Sequence, residues 1–474
     1  MQKIYDVAII GGGVVGAMLF SDISRAGYSA VLIEKELDVA TGMSKANSGL
    51  VHAGFDAKPN TLKAYLNVRG NKMYPAVCKR LGVKLKNCGA FVVGDNLDAI
   101  KELYNRGVQN GVSNLFILQR DELLKALPNI SDNITYGLFA KDACIVDPYL
   151  LTICLAEEGV VNGGKVCLDY ETQKISKVNG VFNIEGSKGL IRARRIINCA
   201  GAGYNDIARL IGSEEYQTEF RRGEYYVLDS SEGGIVSSTV FPLPTKAGKG
   251  VLVTPTVDGN ILVGPTSYQS DYDTKTTDAG LQDIRAKVPL MLKNVNLSKT
   301  IRVFAGVRVI VGDDFIITNS KKVDGVCNIA GICSPGLSCA PAISEYVIKN
   351  LLGFEYKAKK DAVKIKPYLR MKDLSVSMQN KLIKQNPNYG KIVCKCEGIS
   401  VGEIIDAINR PIRPQTMDGI KRRVRAGMGR CQGGFCSDKV ARILAKENKV
   451  ALESIVKERK GGYYIAGDLR KGGK

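Results

Sequence analysis

The sequence contains no tryptophan and one histidine, His52, among 474 residues. Zinc or non-haem iron centres that need two or three imidazoles are thereby excluded, and any histidine chemistry must fall on His52. Thirteen cysteines are too sparse, and odd in number, for a disulfide framework, which predicts a reducing interior. No run of about 18 apolar residues is present to cross a bilayer. The most apolar N-terminal stretch, residues 7–20, is broken by Gly11, Gly12, Gly13 and Gly16, and it lacks the basic flank and cleavage site of a signal peptide. A cytoplasmic protein without an integral membrane segment is expected, with peripheral association left open.

What is present is a globular composition, 45% hydrophobic and 24% charged, over a length that suits about three folding units. The charge is lopsided. The net is +20, and residues 351–474 hold 28 Lys and Arg against 12 Asp and Glu. Such an excess points to nucleic acid, an anionic membrane or an acidic partner. Residues 356–390 are Lys-rich and loosely patterned, as in a linker.

The opening YDVAIIGGGVVGAMLFSDISRAGYSAVLIEKE reads as strand, glycine turn, helix, strand. Gly11, Gly13 and Gly16 form GxGxxG. The first permits the tight turn, the second admits a pyrophosphate, and the third lets the helix pack on the strand; Glu34 can accept ribose hydroxyls. This predicts a dinucleotide site and disfavours a 2′-phosphate, without separating NAD from FAD. In SKANSGLVHAGFDAKPNTLKAYLNVRG (44–70), Ser48, Gly49 and Gly54 mark tight backbone around His52. Taken alone, a single histidine is more often a hydrogen-bonded loop or core residue than a catalyst. Residues 225–228, 250–254 and 260–264 read as strands of an antiparallel sheet.

Cys394 and Cys396 form CxC, and Cys431 and Cys436 form CxxxxC. Ser400 and Glu403 predict a capping box for a helix to about residue 409, ended by Pro411 and Pro414. Residues 418–425 predict a returning helix, and Ser437 or Asp438 opens a final one. Four thiolates suit a [2Fe-2S] cluster or a zinc ion, although zinc sites usually pair cysteines as CxxC. The other nine, including Cys199, Cys327, Cys333 and Cys339, are expected to be small core residues.

With GxGxxG, the segments IINCAGAG (196–203) and NIAGICSPGLS (328–338) resemble the FAD segments of flavoprotein oxidoreductases of the D-amino-acid oxidase type. NSGLVHAG followed by KPNTLKA is similar to the segment of FAD-dependent glycerol-3-phosphate dehydrogenases and oxidases, and of L-2-hydroxyglutarate dehydrogenases, whose histidine faces the flavin. RGEYYVLD (222–229), GKGVLVTPTVDGNILVGPTS (248–267) and FAGVR (304–308) resemble their substrate side. KIVCKCEGIS and MDGIKRRVRAGMGRCQGGFC resemble the [2Fe-2S] domain named after bacterioferritin-associated ferredoxin.

The resemblance implies an α/β fold, α+β overall. A discontinuous Rossmann-like FAD-binding domain (1–75, 141–215 and 301–355) would carry an antiparallel substrate-binding sheet (76–140 and 216–300). A basic linker (356–390) and a small, mainly helical [2Fe-2S] domain (391–474) would follow. It implies FAD contacts at Gly11, Gly13, Gly16, Glu34, Ser44, Ser48, Gly49, Ala200, Gly201, Gly306, Gly331, Gly336, Leu337 and Ser338, and a helix from near Ala340 pointing at the flavin. His52 would be the base, and Arg308, with Lys249 the weaker candidate, would hold an anionic group. Val309 stands where the family often has proline. Cys394, Cys396, Cys431 and Cys436 would hold the cluster.

The implied reaction is oxidation of a small anionic secondary alcohol, glycerol 3-phosphate first and L-2-hydroxyglutarate as the alternative. Electrons would leave through the cluster to flavin or iron-sulfur partner subunits. An amine- or amino-acid-oxidising flavoenzyme and a cluster-bearing docking protein are the other classes. No aromatic side chains interleave Lys421, Arg422, Arg423 and Arg425, which argues against nucleic acid. That basic excess is expected to surround the cluster and steer an acidic partner.

Overall fold

The computed structural model describes residues 3–244 and 250–466. Strand β1 (Ile4–Ile10) is buried without a break from Val7 to Ile10, as a parallel strand covered on both faces must be. It pairs in parallel with β2 (Ala30–Ile33) on one side and β3 (Gly189–Asn198) on the other, and helix α1 (Val14–Arg25) makes the β1–β2 crossover. Lys165–Cys167 extends the sheet beyond β2, and Val326–Ala330 runs parallel to the end of β3. An antiparallel hairpin, Thr172–Val178 and Val181–Gly186, continues from β3. Helices α1, α2 (Leu62–Leu81), α3 (Pro148–Val161) and α4 (Gly336–Tyr346) pack on the sheet around Ile9, Phe20, Leu66, Leu155 and Ile343. The turns after β1, β3 and Val326–Ala330 thus gather at the carboxyl ends of parallel strands, where open α/β sheets bind ligands.

Gly11 shows why the first turn needs glycine. Its φ is +117°, and a Cβ there would stand 2.4 Å from the Cys199 carbonyl oxygen, so any side chain would push the first and second ligand turns apart.

A nine-stranded sheet covers this edge. Strand β4 (Glu219–Leu228) and strand β5 (Thr300–Ile310) are antiparallel partners along almost their whole length, with Arg221 opposite Arg308 and Gly223 opposite Gly306. Ile261–Gly264, Leu252–Pro255 and Thr239–Pro242 follow, then Ala90–Gly94, Tyr136–Ala140 and Leu115–Gln119. The expected division placed residues 301–310 in the FAD-binding part. The structure puts them in the second sheet, because β5 satisfies its backbone groups on the edge of β4.

The C-terminal unit has a two-stranded ribbon, Ile392–Cys394 with Ile399–Ser400, and helices α5 (Val401–Ile408), α6 (Met417–Val424) and α7 (Ser437–Asn448). Ile399, Ile404, Ile420, Val440 and Leu444 form its own core. The capping box is made: the Ser400 amide donates to Glu403 Oε2 at 2.8 Å, and the Glu403 amide donates to Ser400 Oγ at 3.3 Å. The segment expected to be a linker is partly structural. Helix Val376–Gln385 buries nothing, yet Tyr368 packs against the cores of both units, and its hydroxyl donates to Glu157 Oε1 at 2.8 Å. Among the described residues, no helix is long and apolar enough to cross a membrane.

Candidate active site

A cavity of about 1100 Å3 runs from the glycine turn to the face of the second sheet, slightly larger than is usual for sites of cofactors and small ligands, about 300–1,000 Å3. At its first end, α1 begins at Val14 behind Gly13, which has no side chain to cap it, and the positive end of its dipole faces the cavity. Ser44 Oγ accepts the Val14 amide at 2.9 Å. The Glu34 carboxylate accepts the Gly12 amide at 2.8 Å and the Glu36 amide at 3.0 Å. Burial pushes its pKa above the ordinary range, opposed by those two amides. A glycine-led helix N-terminus for a pyrophosphate and an oriented carboxylate for ribose hydroxyls form a donor set that fits FAD.

Gly11, Gly13, Gly16, Glu34, Ser44, Ser48, Ala200, Gly201, Gly306, Gly331, Gly336 and Leu337 all line this cavity. Gly49 and Ser338 do not line it. Gly49 has φ +69° with its Cα side against the Val146 carbonyl, and Ser338 Oγ instead accepts the His52 amide at 2.8 Å. Helix α4 begins at Gly336, four residues before the expected Ala340, because residues 333–335 already form the preceding turn. Cys199 and Cys333 line the cavity as well, whereas the sequence placed them in the core. Cys327 and Cys339 are buried as expected.

His52 lines the cavity. Its amide is held by Ser338, its carbonyl accepts from Asn67 Nδ2 at 2.8 Å and Asn71 Nδ2 at 3.2 Å, and its ring lies 5.7 Å from that of Phe241. The backbone is therefore clamped between α2 and α4 while the imidazole remains on the cavity wall. Arg308, on β5, also lines the cavity, and its Nη2 donates to the Thr266 carbonyl at 2.6 Å. Thr266 is fixed in turn by buried Glu224, whose Oε2 accepts its hydroxyl at 3.0 Å. Tyr225 stacks on Phe304 with ring centroids 4.8 Å apart, and burial pushes its hydroxyl up to about 12 against the pull of Arg308. Lys249 lies outside the described residues. Phe241, Tyr272 and Arg459 complete the wall; no local motif marks them, since each arrives from a distant part of the chain.

In the C-terminal unit Cys394 and Cys436 are buried, Cys431 is half-buried and Cys396 is exposed. Cys396 Sγ and Cys431 Sγ are 3.7 Å apart. The Cys436 thiol hydrogen-bonds Cys394 and, with backbone amides, lowers Cys394 to about 6. Gly429 makes room: a Cβ there would sit 2.3 Å from Cys396 Cβ. Among the described residues, no three His, Cys, Asp or Glu side chains surround a single ion. Two cysteine pairs at one end of a small core are a donor set that fits a two-iron cluster.

The basic run of α6 does not form an open patch. Arg423 and Arg422 pair with buried Asp38 of the flavin-side unit, Arg425 with Asp258 and Glu397 at 2.9 Å each, and Arg430 with Asp229 at 3.1 Å. Arg410 pairs with Glu157 at 2.5 Å and stacks on the Tyr368 ring. These five arginines thus fasten the two units together.

Residues 6–349 match the FAD dependent oxidoreductase family. The chain belongs to that family. Residues 392–446 match the BFD-like [2Fe-2S] binding domain, so this FAD-dependent oxidoreductase carries a second redox module. Over 98% of its length the chain is 43% identical to a glycerol 3-phosphate dehydrogenase of Caloramator mitchellensis, covering 99% of that protein. It is 32% identical over 54% of its length to a mitochondrial L-2-hydroxyglutarate dehydrogenase of Mus musculus, covering 60% of it. The solved L-alpha-glycerophosphate oxidase of Mycoplasma pneumoniae, with FAD bound, superposes with a TM-score of 0.72 at 30% identity, covering 76% of this chain and 98% of that one.

Proposed function

We propose that this flavoenzyme oxidises glycerol 3-phosphate to dihydroxyacetone phosphate and passes the electrons out through the cluster. The observation that carries the reading is the 43% identity to a glycerol 3-phosphate dehydrogenase along almost the whole of both chains, so that the likeness includes the cluster unit as well as the flavin unit. The likeness to L-2-hydroxyglutarate dehydrogenases spans little more than half of this chain.

Oxidation of a secondary alcohol removes a hydride from carbon and a proton from oxygen. FAD when bound supplies the two-electron acceptor, and a [2Fe-2S] cluster supplies a one-electron carrier. His52 accepts the hydroxyl proton at its imidazole, a base matched to that task near neutral pH. The Ser338, Asn67 and Asn71 hydrogen bonds at its backbone keep the ring on the cavity wall. Arg308 holds the substrate phosphate through the N–H groups not given to Thr266, since its planar fork suits an anionic oxygen pair. Gly11, Gly13, Gly16, Glu34, Ser44, Ser48, Ala200, Gly201, Gly306, Gly331, Gly336 and Leu337 surround FAD, and Cys394, Cys396, Cys431 and Cys436 hold the cluster. The second sheet and the turn at residues 333–335 wall the cavity. A separate flavin or iron-sulfur protein is the acceptor, docking near exposed Cys396.

Anaerobic titration of the purified protein tests the reading. Glycerol 3-phosphate should bleach the flavin within the time of turnover, and L-2-hydroxyglutarate should not. Bleaching by L-2-hydroxyglutarate alone, or by an amino acid alone, would replace this substrate assignment.

A further inference from the structure

The flavin cavity has a wall that comes from the cluster unit. Residues 455–464 follow α7, run past the start of α6, reach the flavin-side unit at their tip and return to Ile455. Ile455 and Val456 are buried, the Met417 amide donates to the Val456 carbonyl at 3.1 Å, and the Asp418 amide donates to the Lys457 carbonyl at 2.9 Å. The tip is a closed turn: the Lys457 amide donates to the Gly462 carbonyl at 2.8 Å and the Gly462 amide to the Arg459 carbonyl at 3.0 Å.

Two charged residues fasten that tip to the flavin-side unit. Glu458 pairs with Lys45, next to the Ser44 that holds the start of α1, and with Arg422 at 2.9 Å. Lys460 pairs with Asp169 at 2.5 Å, and the Asp169 amide donates to the Glu36 carbonyl at 2.8 Å. Between these anchors, Arg459 faces the cavity. The guanidiniums of Arg422, Arg423 and Arg425 are all engaged by carboxylates, whereas that of Arg459 makes no ion pair among the described residues. Tyr272 lines the same cavity, and burial raises its hydroxyl, opposed by Arg459 and reinforced by Glu36 and Glu34.

We propose that Arg459 is an FAD-binding residue, which covers the adenosine half of the cofactor opposite Glu34 and makes the docked cluster unit part of the flavin site. A planar cation with spare donors suits both adenine's π face and a pyrophosphate oxygen. Because the tip touches FAD only when the cluster unit is docked, cofactor binding and docking stabilise one another. The inference rests on the adenosine half lying at Glu34, and the experiment tests that separately.

Full-length protein is stripped of FAD and retitrated with FAD and with FMN, which lacks the adenosine half, following flavin fluorescence. Arg459→Ala should weaken FAD binding at least tenfold and leave FMN binding and the visible spectrum of the cluster unchanged, with Arg459→Lys intermediate. Glu34→Gln should weaken FAD and spare FMN. FAD affinity within twofold of the parent in Arg459→Ala, or equal losses for FAD and FMN, overturns the role of Arg459. If Glu34→Gln leaves FAD affinity unchanged, the placement of the adenosine half fails and the proposal falls with it.

Discussion

Arg423 grips both oxygens of Asp38, with Nη1 at 2.6 Å from Oδ2 and Nη2 at 2.9 Å from Oδ1, in a pair from which water is almost wholly excluded. Asp38 follows β2 in the flavin-side unit, and Arg423 sits on α6 of the cluster unit. Burial alone would raise the Asp38 carboxyl, but Arg423 and Arg422 hold it below the ordinary carboxylate range. A charge pair of this kind adds little net stability over an apolar contact, yet it specifies the docked arrangement, because removing one partner strands the other.

Asp38→Asn should therefore cost about 3–5 kcal/mol in the unfolding free energy of the docked state, with the cluster unit loosening first. Thermal unfolding followed at the flavin and cluster absorption bands reads both. A loss below about 1 kcal/mol, the value of an exposed pair, would show that the seam is solvated.

His52→Ala should keep FAD bound and lower the rate of flavin reduction by substrate about 10²–10⁴-fold, the usual contribution of a general base. The stopped-flow rate under anaerobic conditions is the measurement. Near-normal reduction in this variant would remove His52 from the reaction.

Cys394→Ser and Cys436→Ser should lose iron and acid-labile sulfide while substrate still bleaches the flavin. Turnover with an external one-electron acceptor should then collapse. Unchanged acceptor turnover would mean that electrons bypass the cluster.

Asp147 caps α3, accepting the Leu150 amide at 3.0 Å, and burial, opposed by that amide, raises its carboxyl to about 7; Asp258 adds to the rise and Arg425 subtracts from it. A folded pKa above the unfolded one means that the native state binds more protons between about pH 4 and 7, so stability falls as pH rises through that window. Asp147→Asn keeps the cap and removes the titration. Its melting temperature relative to the parent should climb from pH 5 to pH 8; a constant difference would refute the shift.

Much of the architecture was legible in sequence because it depends on local rules. GxGxxG with Glu34 at the end of the next strand predicts its own geometry, and Gly11 and Glu34 stand where that pattern requires. The Ser400–Glu403 capping box and the helices of the cluster unit were likewise set within a few residues. FAGVR marks Arg308, which lines the cavity, although nothing nearby foretold that Glu224 would hold its Thr266 partner. The carboxylates that meet the basic run were not readable from it, because a sequence shows charge but not the groups that will face it.

By itself, then, the sequence determined the two redox modules, their order and the residue types each needs, since short-range turn, cap and ligand spacings are encoded where they act. Only the tertiary structure decided that β5 joins the second sheet, that Cys199 and Cys333 face the cavity, and that Arg422 and Arg423 close on Asp38. It also decided that Arg459, hundreds of residues from Glu34, shares its cavity. These depend on long-range packing of surfaces whose partners are far apart in the chain, and burial then selects the pairs that leave no charge uncompensated.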